Sequence, residues 1–215
     1  MSSSISLARK EVAQRAATMA DSSWQWYGNY DFFSNGTSRG GYERPEHLNS
    51  ATDGQWITGI PYTWGGFDSP WTHTDNAVWS TWGGALTPAD YGPLVGNIST
   101  TWAGSDSAGI DCSGLVYAAA GKIDNPKKGT FHLMKEQSSD NAGWEAGGGG
   151  NVQPMNYFVN SAHTFYYDFR KLDATGIYTV EATTDGLVDG AKRFERNWTE
   201  VNKPQVQGVV ATLGC

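Results

Sequence analysis

The ten residues Asp111-Cys112-Ser113-Gly114-Leu115-Val116-Tyr117-Ala118-Ala119-Ala120 decide how the rest of the chain is read. After an acidic start they are nearly all apolar, and Gly121 follows as a stop, which predicts a short buried helix opened by Asp111. A cysteine in the first turn of such a helix meets the positive end of the macrodipole and unpaired backbone N–H groups. Both favour thiolate, the reactive form. An inert buried cysteine is the competing reading, because free Cys is among the most buried residue types.

Toward the N-terminus, Ile5, Ala8, Val12, Ala16 and Met19 recur at spacings of three and four. This predicts an amphipathic helix over residues 5 to 20, capped by Ser4 or Ser6, with Trp24 and Trp26 packing back toward the core. From Trp24 to Trp102 the text is rich in Gly, Asn, Thr and Pro, carries almost no helical period, and includes six of the ten Trp from Trp56 onward. It reads as long irregular structure, of the kind that is usually functional or inserted. Its rings serve either as a loop-rich fold's replacement for aliphatic core or as exposed sugar-stacking platforms.

Toward the C-terminus, Thr130–Gln137 reads as a second short helix and Gly147–Gly150 as a link. Residues 157–169 and 177–183 are β-branched and aromatic with Asp173 and Gly176 between them, and read as two antiparallel strands. Residues 187–198 (LVDGAKRFERNW) suggest a helix, and Val206–Leu213 a last strand. Helices first and an antiparallel sheet later predict an α+β fold.

Composition sets the outer limits. A chain of 215 residues and 23.3 kDa is one domain, residues 1–215, with an insertion at about 67–108. With 27 Gly, 10 Trp and 10 Tyr it is loop-rich and globular rather than disordered. The net charge of −7 and pI near 5.0 disfavour nucleic acid held by phosphate contacts. No apolar run approaches the roughly 20 residues of a membrane span. Two cysteines, Cys112 and Cys215, are too few for a disulfide framework. The opening residues lack the apolar run of a signal peptide, and an exported chain whose leader had been removed reads the same. The histidines lack zinc-helix spacing, so neither metal nor other cofactor is expected. Oligomeric state is not legible.

Upstream of the Cys112 segment stands Ile60-Pro61-Tyr62-Thr63-Trp64-Gly65-Gly66. Together with Gly109-Ile110-Asp111-Cys112-Ser113-Gly114 it resembles the paired motifs of the NlpC-type cell-wall peptidases, in which Tyr-x-Trp-Gly-Gly precedes an Asp-Cys-Ser-Gly helix start. The resemblance covers roughly residues 57–185 and is strong only in the two motifs. It implies a papain-like fold, with the nucleophile at a helix start packed on an antiparallel sheet that carries the base. Cys112 is then the nucleophile of a thiol protease.

Such a nucleophile needs a base oriented by a third polar group. Of the four histidines, His47 and His73 precede Cys112 in loop-like text and His132 falls in the second helix, whereas His163 falls on a strand 51 residues beyond Cys112. That order is the family's, so His163 is the expected base. On the following strand Glu181 stands where the family often has His or Asn. A turn around Leu172 places residues 163 and 181 opposite one another, and other odd-to-odd registers keep them on one face. Asp185 is the reserve; a solvent-facing Glu181 is the plainer alternative. Tyr62, Trp64, Asp111 and Ser113 match the substrate-binding region that receives the free amino end of a stem peptide. Asp111 also reads as a simple helix cap, and Tyr62 as a packed ring.

The chain departs from the family in the long gap between Gly66 and Asp111, in Pro154-Met155-Asn156-Tyr157 where a Gly-Asp pair is expected, and in the acidic third residue. The expected function is a cysteine hydrolase, of peptidase or amidase type, that cuts an amide in peptidoglycan stem peptides through a Cys-His-Glu triad. The alternatives are an amidase or acyltransferase of the same fold acting on a non-peptidoglycan amide, and a non-catalytic cell-wall-binding module. The resemblance implies a secreted or cell-surface location, with a cytoplasmic one as the alternative.

Overall fold

Leu7–Asp21 forms helix α1, with Val12, Ala16, Met19 and Ala20 buried on the side the spacing predicts. The computed structural model describes residues 7–27, 41, 43–70, 94–100, 107–121, 155, 157–159, 163–172, 175–184, 189–197 and 207–209. The capping serines Ser4 and Ser6, the helix expected at Thr130–Gln137, the Gly147–Gly150 link and Cys215 lie outside the described residues, as does most of the Trp-rich insertion.

After α1 come strand β1 (Ser23–Gln25), a 3-10 turn (Glu46–Leu48), β2 (Trp56–Thr58), β3 (Leu94–Val95) and β4 (Ser107–Ala108). β1 and β2 pair antiparallel, and β3 and β4 pair parallel. Trp24 and Trp26 are buried as expected, but not in the main core. They meet edge to face at 6.3 Å between ring centroids and form a second small core with Leu48, Ile57, Val95 and Ala108. In the intervening region, rings therefore do replace aliphatic core at these two positions, while Trp56 and Trp64 are exposed.

Helix α2 (Cys112–Ala119) is buried along its whole length. It is followed by β5 (Tyr157–Val159), β6 (Thr164–Leu172), β7 (Gly176–Thr183), β8 (Gly190–Asn197) and β9 (Gln207–Val209), which form one antiparallel sheet in the order β8-β7-β6-β5-β9. The fold is thus α+β as expected. Strand alternation divides the sheet into two faces. Tyr157, Tyr166, Val180, Ala182 and Ala191 join α1 and α2 in the main core. Phe158, Phe165, Tyr167 and Ile177 cluster on the other face. The Tyr166 hydroxyl donates to the Val116 carbonyl at 2.9 Å, fastening α2 to β6.

Three expectations need correction. The stretch expected as one strand over 157–169 contains two, β5 and β6, paired antiparallel with Val159 opposite Thr164. Residues 187–198 are not a helix: Gly190–Asn197 pairs along its length with β7. The β6–β7 register is displaced by two residues from a turn at Leu172, pairing Tyr166 with Val180, and it shifts between Asp168 and Leu172.

Candidate active site

Asp111 begins the site. Its backbone is extended, and its Oδ1 accepts the Gly114 N–H at 2.7 Å and the Ser113 hydroxyl at 2.9 Å, an N-cap made by one of the strongly preferred residue types. Oδ2 accepts the Gly65 N–H at 3.1 Å, so the cap also ties the helix to the Trp64-Gly65-Gly66 segment. Backbone bonds complete the join. The Asp111 N–H donates to the Gly66 carbonyl at 3.1 Å and the Ile110 N–H to the Pro61 carbonyl at 3.0 Å. A β-carbon on Gly114 would meet the Gly66 carbonyl oxygen, and one on Gly66 would meet that of Gly109. Only glycine permits this approach of backbone to backbone. The two sequence motifs are therefore one structural unit, and its product is a buried Cys112 in the first turn of α2.

His163 sits immediately before β6 rather than on a strand, with its side chain 27% exposed. It stands close enough to Cys112 for the thiol to act on the charge of its ring, and its Nε2 lies 2.7 Å from Oε2 of Glu181. With Nε2 committed to Glu181, Nδ1 is the ring nitrogen that remains for the thiol. Burial disfavours the charged ring, but the hydrogen bond to Glu181 and the nearness of Cys112 outweigh it. They push the imidazole up from 6.5 to about 10.

Glu181 is wholly buried on β7. A buried carboxylate needs donors, and it has four. Besides His163 it accepts the Thr179 hydroxyl at 2.5 Å on Oε1, Arg196 Nε at 3.0 Å on Oε1 and Arg196 Nη2 at 3.0 Å on Oε2. Burial alone would raise the carboxyl; the bonds and charges of His163 and Arg196 reverse that and hold it at about 2. Glu181 is thus no solvent-facing strand residue. The reserve candidate Asp185 lies outside the described residues.

Tyr62 is buried, and its phenol is pushed well above its usual value, first by burial and then by the nearby Cys112 and Asp111 charges. It therefore stays a proton donor. Trp64 lies on the same segment, 43% exposed. His47 lies outside the constellation. Its Nδ1 accepts the Asp189 N–H at 3.1 Å, and burial and the Lys192 charge lower it to about 4, so it acts as a neutral brace between the 3-10 turn and β8. His73 and His132 are outside the described residues.

The structure thus brings together Cys112, His163, Glu181, Tyr62, Asp111 and Ser113. Sequence reasoning missed Arg196 and Thr179. Thr179 was two residues from Glu181 on one strand, a legible spacing, whereas Arg196 was hidden by the helical reading of its segment. Among the described residues no helix is long and apolar enough to cross a membrane. Compared with known proteins, the chain matches no family model, no curated protein and no solved structure.

Proposed function

We propose that the protein is a cysteine hydrolase of papain-like architecture that cleaves an amide bond by way of an acyl-enzyme. One observation carries the reading: a helix-start cysteine beside a histidine whose Nε2 rests on a buried carboxylate. Cys112 as thiolate attacks the carbonyl carbon and forms the C–S bond. The charge on oxygen is met by the Cys112 and Ser113 N–H groups and the Tyr62 hydroxyl, because Asp111 already takes the N–H groups of Gly114 and Leu115. His163 imidazolium gives its proton to the departing amine as the C–N bond breaks. Water then attacks the thioester, His163 takes a proton from it, and the C–S bond breaks to release the acid. Glu181 holds the ring and stabilises its charge throughout.

The paired motifs support a peptidoglycan stem peptide as substrate, and with it action at the cell surface or outside the cell. Tyr62, buried near Cys112, and the exposed Trp64 lie on one segment. The test is mass spectrometry of defined stem peptides incubated with the full chain. Cleavage at one amide, abolished in a folded Cys112→Ala variant, is expected. Digestion that persists in that variant ends the catalytic reading, and cleavage of other amides alone favours the non-peptidoglycan amidase.

A further inference from the structure

We propose that Arg196 is a positioning residue of this site, whose guanidinium fork fixes Glu181 against His163 and offsets part of the carboxylate's charge. It rests on the reading of Cys112 and His163 as nucleophile and base. Arg196 places Nε and Nη2 each 3.0 Å from a different oxygen of Glu181, the two-point geometry in which arginine grips a carboxylate best. The guanidinium is itself seated, its central carbon 4.3 Å from the centre of the Phe194 ring. The fork therefore holds one orientation.

The need for it follows from burial. A carboxylate without exposure has two ways to fail its histidine. It can take up a proton and lose its hold, or it can grip the imidazolium so firmly that the proton no longer leaves for the amine. A cation on its far side counters both. The sequence of charges becomes thiolate, imidazolium, carboxylate, guanidinium, each beside the opposite sign.

Among the described residues, polar and charged groups face Glu181 from three elements. Thr179 comes from its own strand, His163 from the start of β6, and Arg196 and Lys192 from β8, where Lys192 is its register partner. Lys192 is the other cation, but its ammonium sits 4.3 Å from the centre of the Phe194 ring. Cys112 reaches Glu181 only through His163, with Tyr62 and Asp111 beyond it.

The experiment uses the full chain with ring-labelled histidine, followed by NMR across pH, His163 being assigned with a His163→Gln variant. In Arg196→Gln the His163 midpoint is expected to rise by about 1 pH unit, because a neighbouring cation has gone. Arg193→Gln is the control. Arg193 bonds Asp21, away from Glu181, and its loss leaves the midpoint in place. In Arg196→Lys the charge stays but the fork is lost, so the midpoint holds while iodoacetamide alkylation of Cys112 slows several-fold. A His163 midpoint that stays or falls in Arg196→Gln overturns the charge role. If that variant does not fold, Arg196→Lys decides, and alkylation at the wild-type rate overturns the positioning role. Neither readout needs amide cleavage, so a chain that cuts no peptide defeats the proposed function separately.

Discussion

Asp111 and Gly65, 46 residues apart, are joined by a hydrogen bond of 3.1 Å from the glycine N–H to the Oδ2 that the helix cap leaves over. One carboxylate therefore orders both the start of α2 and the segment that carries Tyr62 and Trp64. Asp111→Ala is expected to cost about 1–2 kcal/mol in urea denaturation, the usual range for a lost cap. Asp111→Asn keeps an oxygen for Gly114 and presents an N–H to Gly65, so it falls between wild type and Ala. An Asp111→Asn variant as stable as wild type would show that the Gly65 bond contributes nothing.

Gly114→Ala sets two effects against each other. Alanine favours a helix by up to about 1 kcal/mol over glycine, but its β-carbon would run into the Gly66 carbonyl. Overpacking of a rigid backbone contact costs roughly 1–3 kcal/mol, so the clash wins. Thermal denaturation should show a lower midpoint, and a stabilised variant would mean that the two motifs separate easily.

Tyr62→Phe removes a hydroxyl without changing the ring. Because the phenol is held above its usual pKa, it donates over the whole range in which the site would work. Steady-state kinetics on a cleaved peptide should show kcat lowered about a hundredfold with KM little changed, the cost of one lost oxyanion donor. A KM effect alone would place Tyr62 in ground-state binding.

The pH dependence of stability follows from two opposite shifts. His163 is raised from 6.5 to about 10, so its contribution is complete below 6.5 and is lost as pH climbs through 10. Glu181 is lowered from 4.5 to about 2, so its contribution is complete above 4.5 and is lost as pH falls through 2. The stability gap between wild type and Glu181→Gln is therefore widest between 4.5 and 6.5 and narrows on both sides. Denaturant midpoints at about pH 3, 5.5 and 9 measure it; a gap that grows toward pH 9 contradicts the pairing.

The helix start was legible at Cys112 because a cap, an apolar run and a glycine stop all agreed. The site's two motifs were legible as a pair, although their physical reason, glycine backbones in contact, needed coordinates. β8 was not legible. Leu187, Val188, Ala191, Phe194 and Trp198 fall at helical spacing, and Ala, Lys, Arg and Glu favour helix. The strand wins because β7 pairs with it at eight positions and because its charged side chains find partners on both faces, Arg193 with Asp21 and Arg196 with Glu181. Alternation of apolar and polar residues cannot signal a strand whose two sides both bond through charges. Arg196 was lost to the reading for the same reason.

The described ends of the long stretch between the motifs meet one another. Phe67 bridges Ile110, Asn97 bridges Thr63, and the Gly96 N–H donates to the Ala108 carbonyl at 2.9 Å. These contacts close its described ends. Closing a longer segment costs only about 0.6 kcal/mol for each doubling of its length. The frame around Cys112 thus works like a clasp: the described contacts that close it are the ones that hold the segment bearing Tyr62 against the start of the thiol's helix.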